Sequence, residues 1–304
     1  MKDKGQNTKD RSQRGSALII TVLIVTILVA LVVEFAYEVY IDTSSLSNWA
    51  NAQKASLIAK SGQTLSINYI AEINKSYNTQ SKVEFPVERD LGLNTQLILK
   101  IEDENAKINI NSILIENLKG ETLHLTALQK LFEYLNINPK LSLVIADWID
   151  TDSDPRLFDS EENAKNSFLS TVDELKLIKG IDKEVFEKIS PYITVHKDRT
   201  RVNHFDTLIN INTAKLPVLM SLHKDMTEAL AQRIIDYRET SPIETKGQLS
   251  NINGMKDLAA SLYLPISFKS SDFRITTKAT VNEITRIIES VVDKSARIQF
   301  WREE

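Results

Sequence analysis

Residues 16–33 (SALIITVLIVTILVALVV) contain no charged residue, no glycine and no proline. As an α-helix this run spans about 27 Å at 1.5 Å per residue, close to the ~30 Å hydrocarbon core of a bilayer. Phe35 and Ala36 can extend it. The run follows a basic leader, in which Lys2, Lys4, Lys9, Arg11 and Arg14 stand against Asp3 and Asp10. That imbalance keeps a leader on the cytoplasmic side of a membrane. A secretory signal has an apolar core of about 7–15 residues followed by a small-x-small cleavage site. Here the core is longer and runs into Glu34, Tyr37 and Glu38, with no such site, which argues against removal as a secretion signal. Two readings stay open: a plain anchor with a separate domain helix behind it, or one long helix that can leave the membrane for an assembly.

Spacing favours the long helix. Ala55, Ile58, Gly62, Leu65, Tyr69 and Ile73 recur every three or four residues, which makes one apolar stripe, and no proline intervenes before Pro86. The expectation is a single helix, greasy in its first third and amphipathic beyond. The chain of 304 residues carries a net charge of −4. With +3 in residues 1–15, the remainder carries −4 − 3 = −7. An acidic body argues against a nucleic-acid partner. The absence of cysteine excludes disulfides and thiolate chemistry.

A basic leader ending in Arg14-Gly15, followed by Ser16-Ala17-Leu18 and an unbroken apolar helix, resembles the class III signal of type IV pilins and type II secretion pseudopilins. The resemblance implies that a membrane prepilin peptidase cuts between Gly15 and Ser16, retains the helix and methylates Ser16. Glycine suits the cut because it has no side chain and can leave helical geometry there. Most members of those families have Glu as the fifth mature residue, where this chain has Ile20. A carboxylate in hydrocarbon needs a partner. Its absence resembles the K subunit of type II secretion and suits a subunit with none above it, at a filament tip.

The body reads as a sheet interrupted by helices. Val83, Phe85 and Val87 alternate with charged residues, and Gln96–Glu102 (QLILKIE) alternates too. Phe273–Val281, Ile284–Val292 and Arg297–Trp301 are rich in β-branched and aromatic residues, with Asn282-Glu283 at a hairpin-turn position. A helix stays open for Ile284–Val292. Between these regions the periodicity is helical, as in Leu123, Ala127, Leu128, Leu131, Leu135 and in Met226, Leu230, Ile234, Tyr237. This segment also echoes itself. Ile108-Asn109-Ile110-Asn111-Ser112 returns as Ile209-Asn210-Ile211-Asn212-Thr213, and Glu174–Ile181 (ELKLIKGI) returns as Gln248–Met255 (QLSNINGM). The first phrase suits a short strand that delivers an N-cap, and the second a helix ended by glycine.

These phrases, with Asp103–Asn111 (DENAKININ) and Asp147–Asp152 (DWIDTD), stand in the order found in the general secretion pathway protein K family, which the chain resembles over most of its length. The resemblance implies an α+β fold: a transmembrane helix over 16–36, a pilin-like antiparallel sheet domain from 37–111 plus 266–304, and an inserted helical domain of two related units over 112–265. It further implies a minor pseudopilin of type II protein secretion, held in the inner membrane by a single span, with residues 1–15 cytoplasmic and the body periplasmic. Its partners would be the minor pseudopilins I and J, and its role support of export from the pseudopilus tip. A minor pilin of a type IV pilus is the related alternative.

Asp150, Asp152 and Asp154 occupy loop positions 1, 3 and 5 of an EF-hand, with Glu161 at position 12. Position 6 is Pro155, where an EF-hand turns on glycine. Asp159 and Glu162 complete the acidic set. Hard oxygen ligands at alternate positions can wrap Ca²⁺, and calcium binding in this domain is also what the family resemblance implies. Ordinary acidic loops share the pattern. No phosphate-binding G-x-x-x-x-G-K-[ST] loop or G-x-S-x-G elbow occurs, and the four histidines are scattered, so no catalytic residue is assigned. Asn210–Ala214 with Ile234–Arg238 also resembles helix-hairpin-helix DNA-binding proteins, but Ser221–Met226 lacks the hairpin glycine whose backbone amides hold phosphate.

Overall fold

The apolar run and the stripe behind it lie on one unbroken helix, α1 (Gln6–Ile73), 68 residues and about 100 Å long. The structure, a computed structural model, describes residues 6–73, 82–87, 94–117, 119–196 and 208–304. The helix passes straight through Gly15. One glycine costs a helix only about 1 kcal/mol, and the Lys, Arg and Gln residues around it are good helix formers. Ser16–Val33 is exposed throughout, and the helix is long and apolar enough for a single membrane span. Within it, the Thr21 and Thr26 hydroxyls donate to the carbonyls of Ala17 and Val22, each at 2.8 Å, so neither needs a partner from outside the helix.

The second half of α1 lies across a five-stranded antiparallel sheet. Its strands are β1 (Lys82–Val87), β2 (Thr95–Asp103), β7 (Asp272–Val281), β8 (Ile284–Asp293) and β9 (Ile298–Glu303), in the order β1-β2-β7-β8-β9. The side chains of β1, including the alternating Val83, Phe85 and Val87, lie outside the described residues. Alternate residues of β2 (Leu97, Leu99 and Ile101) are buried, and Ile275, Ala279, Ile288 and Val292 join them beneath the helix. Residues 284–292, left open between helix and strand, are a strand. The β7–β8 hairpin closes on Asn282 and Glu283, both with positive φ (45° and 73°), as a two-residue turn that matches strand twist requires.

The packed face of α1 follows the expected stripe only in part: Ala55 and Gly62 are buried and Ile58 packs against the core. Leu65 and Tyr69 are 58% and 42% exposed, and the side chain of Ile73 lies outside the described residues. The buried face keeps Ala55 and Gly62 of that stripe and adds Ser56, Ala59, Gln63, Ser66 and Ile70. Small residues allow the helix to approach the strands closely: a Cβ on Gly62 would lie 2.7 Å from Leu99 Cδ2 and 3.2 Å from Thr277 Cγ2. Gln63, fully buried, then reaches the sheet. Its amide donates to the carbonyls of Ile275 (3.2 Å) and Ile288 (3.0 Å), and its Oε1 accepts from the Ser290 hydroxyl at 2.7 Å. Gly62→Val should therefore cost about 2 kcal/mol through overpacking, read as a lower urea midpoint. A midpoint equal to that of the unmodified protein would mean that the helix can lift off the sheet.

The helical region is inserted between β2 and β7, which are neighbours in the sheet. It contains two copies of one motif. In the first, β3 (Ile108–Asn109) pairs in parallel with β4 (Ile193–Thr194), and α2 (Leu123–Tyr134), α3 (Leu141–Ile149) and α4 (Lys183–Ile189) lie between them. In the second, β5 (Ile209–Asn210) pairs in parallel with β6 (Ile266–Ser267) around α5 (Leu216–Ser221), α6 (Glu228–Thr240) and α7 (Lys246–Asn251). The two copies share one apolar core, which includes Ile108, Leu128, Phe132, Leu219 and Ile234. Ile108 and Ile110 lie in that core, although they precede residue 112.

The echoed phrases now have a structural account. In each first phrase, the first Asn side chain accepts from the backbone two residues on, as Asn109 does from Asn111 and Asn210 from Asn212, both at 3.0 Å. The strand ends in a tight turn there. In each second phrase the glycine does not cap the helix. It is the third residue of a β-turn beyond the helix end: Ile181 N–H donates to Ile178 O across Gly180 (φ 92°), and Met255 N–H to Ile252 O across Gly254 (φ 87°). A type II turn needs positive φ at that position, which glycine supplies.

Candidate metal centre

In the first unit, the helix α3 is followed by a long loop that the second unit lacks. From the end of α6 at Thr240 the chain reaches Ile243 within three residues, whereas from the end of α3 at Ile149 it takes until Leu169 to reach the equivalent place. Leu169 and Ile243 are equivalent because each exchanges hydrogen bonds with the second Asn of its phrase, Asn111 or Asn212. The extra loop, residues 150–168, carries the acidic residues singled out above.

Asp147 and Asp150 lie three residues apart at the end of α3, which puts both carboxylates on one side of the helix. The loop returns to bring Glu161 alongside. One carboxylate oxygen from each of Asp147, Asp150 and Glu161 lies within 4.8 Å of the others. Three residues of the loop, Asp159, Asn163 and Asn166, have φ between 50° and 65°. Asp and Asn are the residue types that accept this left-handed region best after glycine.

Asp147 is fully buried. Its Oδ2 accepts from the Arg156 backbone N–H at 2.9 Å and contacts the Ser160 hydroxyl, while its Oδ1 accepts from Arg156 Nη1 at 2.5 Å. The same Nη1 bridges to Asp150 Oδ2. Asp150 Oδ1 and Glu161 Oε1 are buried without a hydrogen-bond partner among the described residues, and so is Asn166 Oδ1 on the same loop. Withdrawal from water, then the nearby carboxylates of Asp150, Asp147 and Asp152, push the Glu161 carboxyl above its ordinary range. Buried oxygens left unpaired beside three carboxylates fit a hard divalent cation such as Ca²⁺, which takes oxygen ligands only.

The structure thus brings together Asp150 and Glu161 of the expected ligand set and adds Asp147. The other four do not bring a carboxylate oxygen into this triad, although Asp152 is near enough to act on Glu161 by charge. Asp152 and Asp154 are exposed, and Asp152 Oδ1 caps the backbone N–H of Asp154 at 2.9 Å. Asp159 and Glu162 face Lys179 Nζ at 3.9 and 4.0 Å. An EF-hand register starts at Asp150 and leaves out Asp147, which belongs to the preceding helix. The signal that could have found it is its i, i+3 spacing from Asp150.

A family model for the first part of type II secretion system protein K matches residues 106–198, and a second model for protein K matches residues 209–264. These are the two halves of the duplicated insertion. The chain belongs to the type II secretion system protein K family. Members of the family are structural proteins and not enzymes. Type II secretion system protein K of Aeromonas hydrophila is 22% identical, over 92% of this chain and 93% of its own. That of Pectobacterium carotovorum subsp. carotovorum is 23% identical, over 74% and 75%. Among solved structures, the GspK-GspI-GspJ complex of the enterotoxigenic Escherichia coli type 2 secretion system contains a similar chain, with a TM-score of 0.61 at 19% identity. The match covers 84% of this chain and 98% of that one. It shares the long helix packed on an antiparallel sheet, with the helical insertion between strands.

Proposed function

We propose that this protein is the minor pseudopilin that caps the periplasmic pseudopilus of a type II secretion system. Prepilin peptidase cuts it between Gly15 and Ser16 on the cytoplasmic side, and the freed helix carries the body out of the inner membrane into the assembly. The observation that carries this reading is the continuity of α1. A fully exposed apolar span and a segment packed on the sheet belong to one rigid rod, so movement of the span moves the whole body. The exposed side of the rod beyond the span, with Leu46, Trp49, Leu57 and Leu65, suits the helices of the minor pseudopilins I and J. The E. coli relative is found in a complex with proteins of those names. In this reading the bulky insertion blocks the addition of a further subunit.

In this reading, Asp147, Asp150 and Glu161 hold calcium, and Asp152, Asp154, Asp159 and Glu162 add to the negative field around it. The ion supplies charge neutralisation and a cross-link between α3 and the returning loop.

Mass spectrometry of the mature N-terminus, in cells with and without prepilin peptidase, tests the processing. A chain starting at methylated Ser16 only when the peptidase is present is the expected outcome. An intact leader in both strains would exclude this class of protein. Gly15→Ala should leave unprocessed chain as the dominant species, and normal trimming of that variant would move the cut elsewhere.

A further inference from the structure

We infer that Arg156 is an internal counter-cation that competes with the divalent ion for Asp147 and Asp150, so that ion binding and release of the arginine are one event. This rests on the metal reading of the triad and goes beyond it. Arg156 Nη1 lies between Asp147 Oδ1 and Asp150 Oδ2, two of the three groups an ion would have to draw together. A guanidinium stays charged at any physiological pH, so it cannot make way by losing a proton. Two cations cannot share that space, because they repel strongly at contact distance and the carboxylates cannot serve both.

The present arrangement satisfies only half the site. Asp147 has partners on both oxygens, whereas Asp150, only 8% exposed, keeps Oδ1 unpaired, and Glu161 keeps Oε1 unpaired. Three carboxylates against one guanidinium leave about two negative charges uncompensated, and a divalent ion in place of the guanidinium reduces that to about one. The arginine also has somewhere to go. Its side chain is 33% exposed, and Phe158, two residues on, is 95% exposed, so this stretch of loop is not held down by packing. The Arg156 backbone N–H can keep its bond to Asp147 while the side chain swings out. The consequence is two ordered arrangements of the loop, one closed by arginine and one closed by the ion. The arginine sets the ion affinity below what the carboxylates alone would give.

The test is calcium titration by calorimetry on the full chain in detergent, for the unmodified protein and Arg156→Gln. Peptide mass spectrometry of Arg156 labelling by phenylglyoxal, with and without calcium chloride, accompanies it. Arg156→Gln should bind calcium about tenfold or more tightly, the size of an ordinary coupling between two competing ligands. Its melting temperature should fall in chelator but not in calcium. In the unmodified protein, calcium should raise the labelling of Arg156. If the unmodified protein binds calcium while the variant binds it equally or more weakly, and labelling is unchanged, Arg156 is only a structural support and the inference is overturned. If neither protein binds calcium, the metal reading itself is overturned. Should the variant fail to fold, labelling of the unmodified protein still decides between release and support.

Discussion

Replacing Arg274 with methionine should cost about 3–5 kcal/mol of folding stability, the range found when one partner of a buried ion pair is removed and the other is left behind. Arg274 stands on β7 and forks onto Glu104, with Nε 2.8 Å from Oε1 and Nη2 3.1 Å from Oε2; its Nη1 contacts Glu289 on β8. Glu104 is 1% exposed and also meets Lys107 Nζ at 2.6 Å and the Thr194 hydroxyl of β4. The cluster therefore bolts the first helical unit onto the sheet. Burial alone would raise the Glu104 carboxyl, but Lys107 and Arg274 overcome that and hold it far below the ordinary carboxylate range. The same burial, with Arg274 beside it, holds the His196 imidazole down at about 4.

The sign of the pH dependence follows. Below pH 6.5 the unfolded chain takes up a proton at His196 that the folded chain refuses, so stability falls as pH drops from about 6.5 to about 4. The stabilisation from ionised Glu104 is present above its unfolded value and is lost only at more acid pH, towards its depressed folded value. Urea unfolding at neutral pH measures the Arg274→Met effect, and melting across pH 4–7 measures the second. An Arg274→Met midpoint within experimental error of the unmodified protein would mean the insertion is not held by this cluster.

Asn111→Ala and Asn212→Ala should each cost about 3 kcal/mol, because each strands three backbone groups at roughly 1–3 kcal/mol apiece, partly relieved by water. Asn111 donates to the carbonyls of Leu169 and Val195, both at 2.9 Å, and accepts from Leu169 N–H at 2.8 Å. Asn212 repeats the pattern in the second unit, with Ile243 O at 2.8 Å, Phe268 O at 3.0 Å and Ile243 N–H at 2.9 Å. In both units one amide ties the start of a capping-box helix to the strand that closes the motif, since Thr171 and Thr245 follow two residues after the bonded residue. Equal losses at the two positions would bear out the duplication as an energetic one. A loss at one position and none at the other would show that the echo is only a matter of shape.

The echo was legible in the chain because both copies solve the same backbone problem. An Asn between two isoleucines, and a glycine three residues past a short helix, are local requirements that sequence records directly. So were the membrane-length run, the strand alternation of residues 96–102 and the hairpin at Asn282-Glu283, since each depends on a periodicity or a φ angle within a few residues. The acidic loop was legible as a loop but not as a site. Asp152 and Asp154 look like ligands by spacing and point to solvent, while Asp147, hidden in the helix before them, becomes a neighbour of Glu161 only when the chain turns back. Arg156 carries no signal in the sequence, because nothing local says that its guanidinium will lie between two aspartates.

The helix α1 marks the same boundary. Residue types and spacing establish its length and its greasy first third, because helix propensity and hydropathy are properties of the chain alone. Which side it turns to the sheet is not among them. Leu65 and Tyr69 of the expected stripe are the more apolar candidates, yet the helix leaves them exposed and turns Gln63, beside Gly62, to the sheet. Close approach to Leu99 excludes larger side chains there, and the Gln63 amide finds the carbonyls of Ile275 and Ile288 only once β7 and β8 are in place. Contacts between residues more than two hundred positions apart rank the two faces, and periodicity cannot report them.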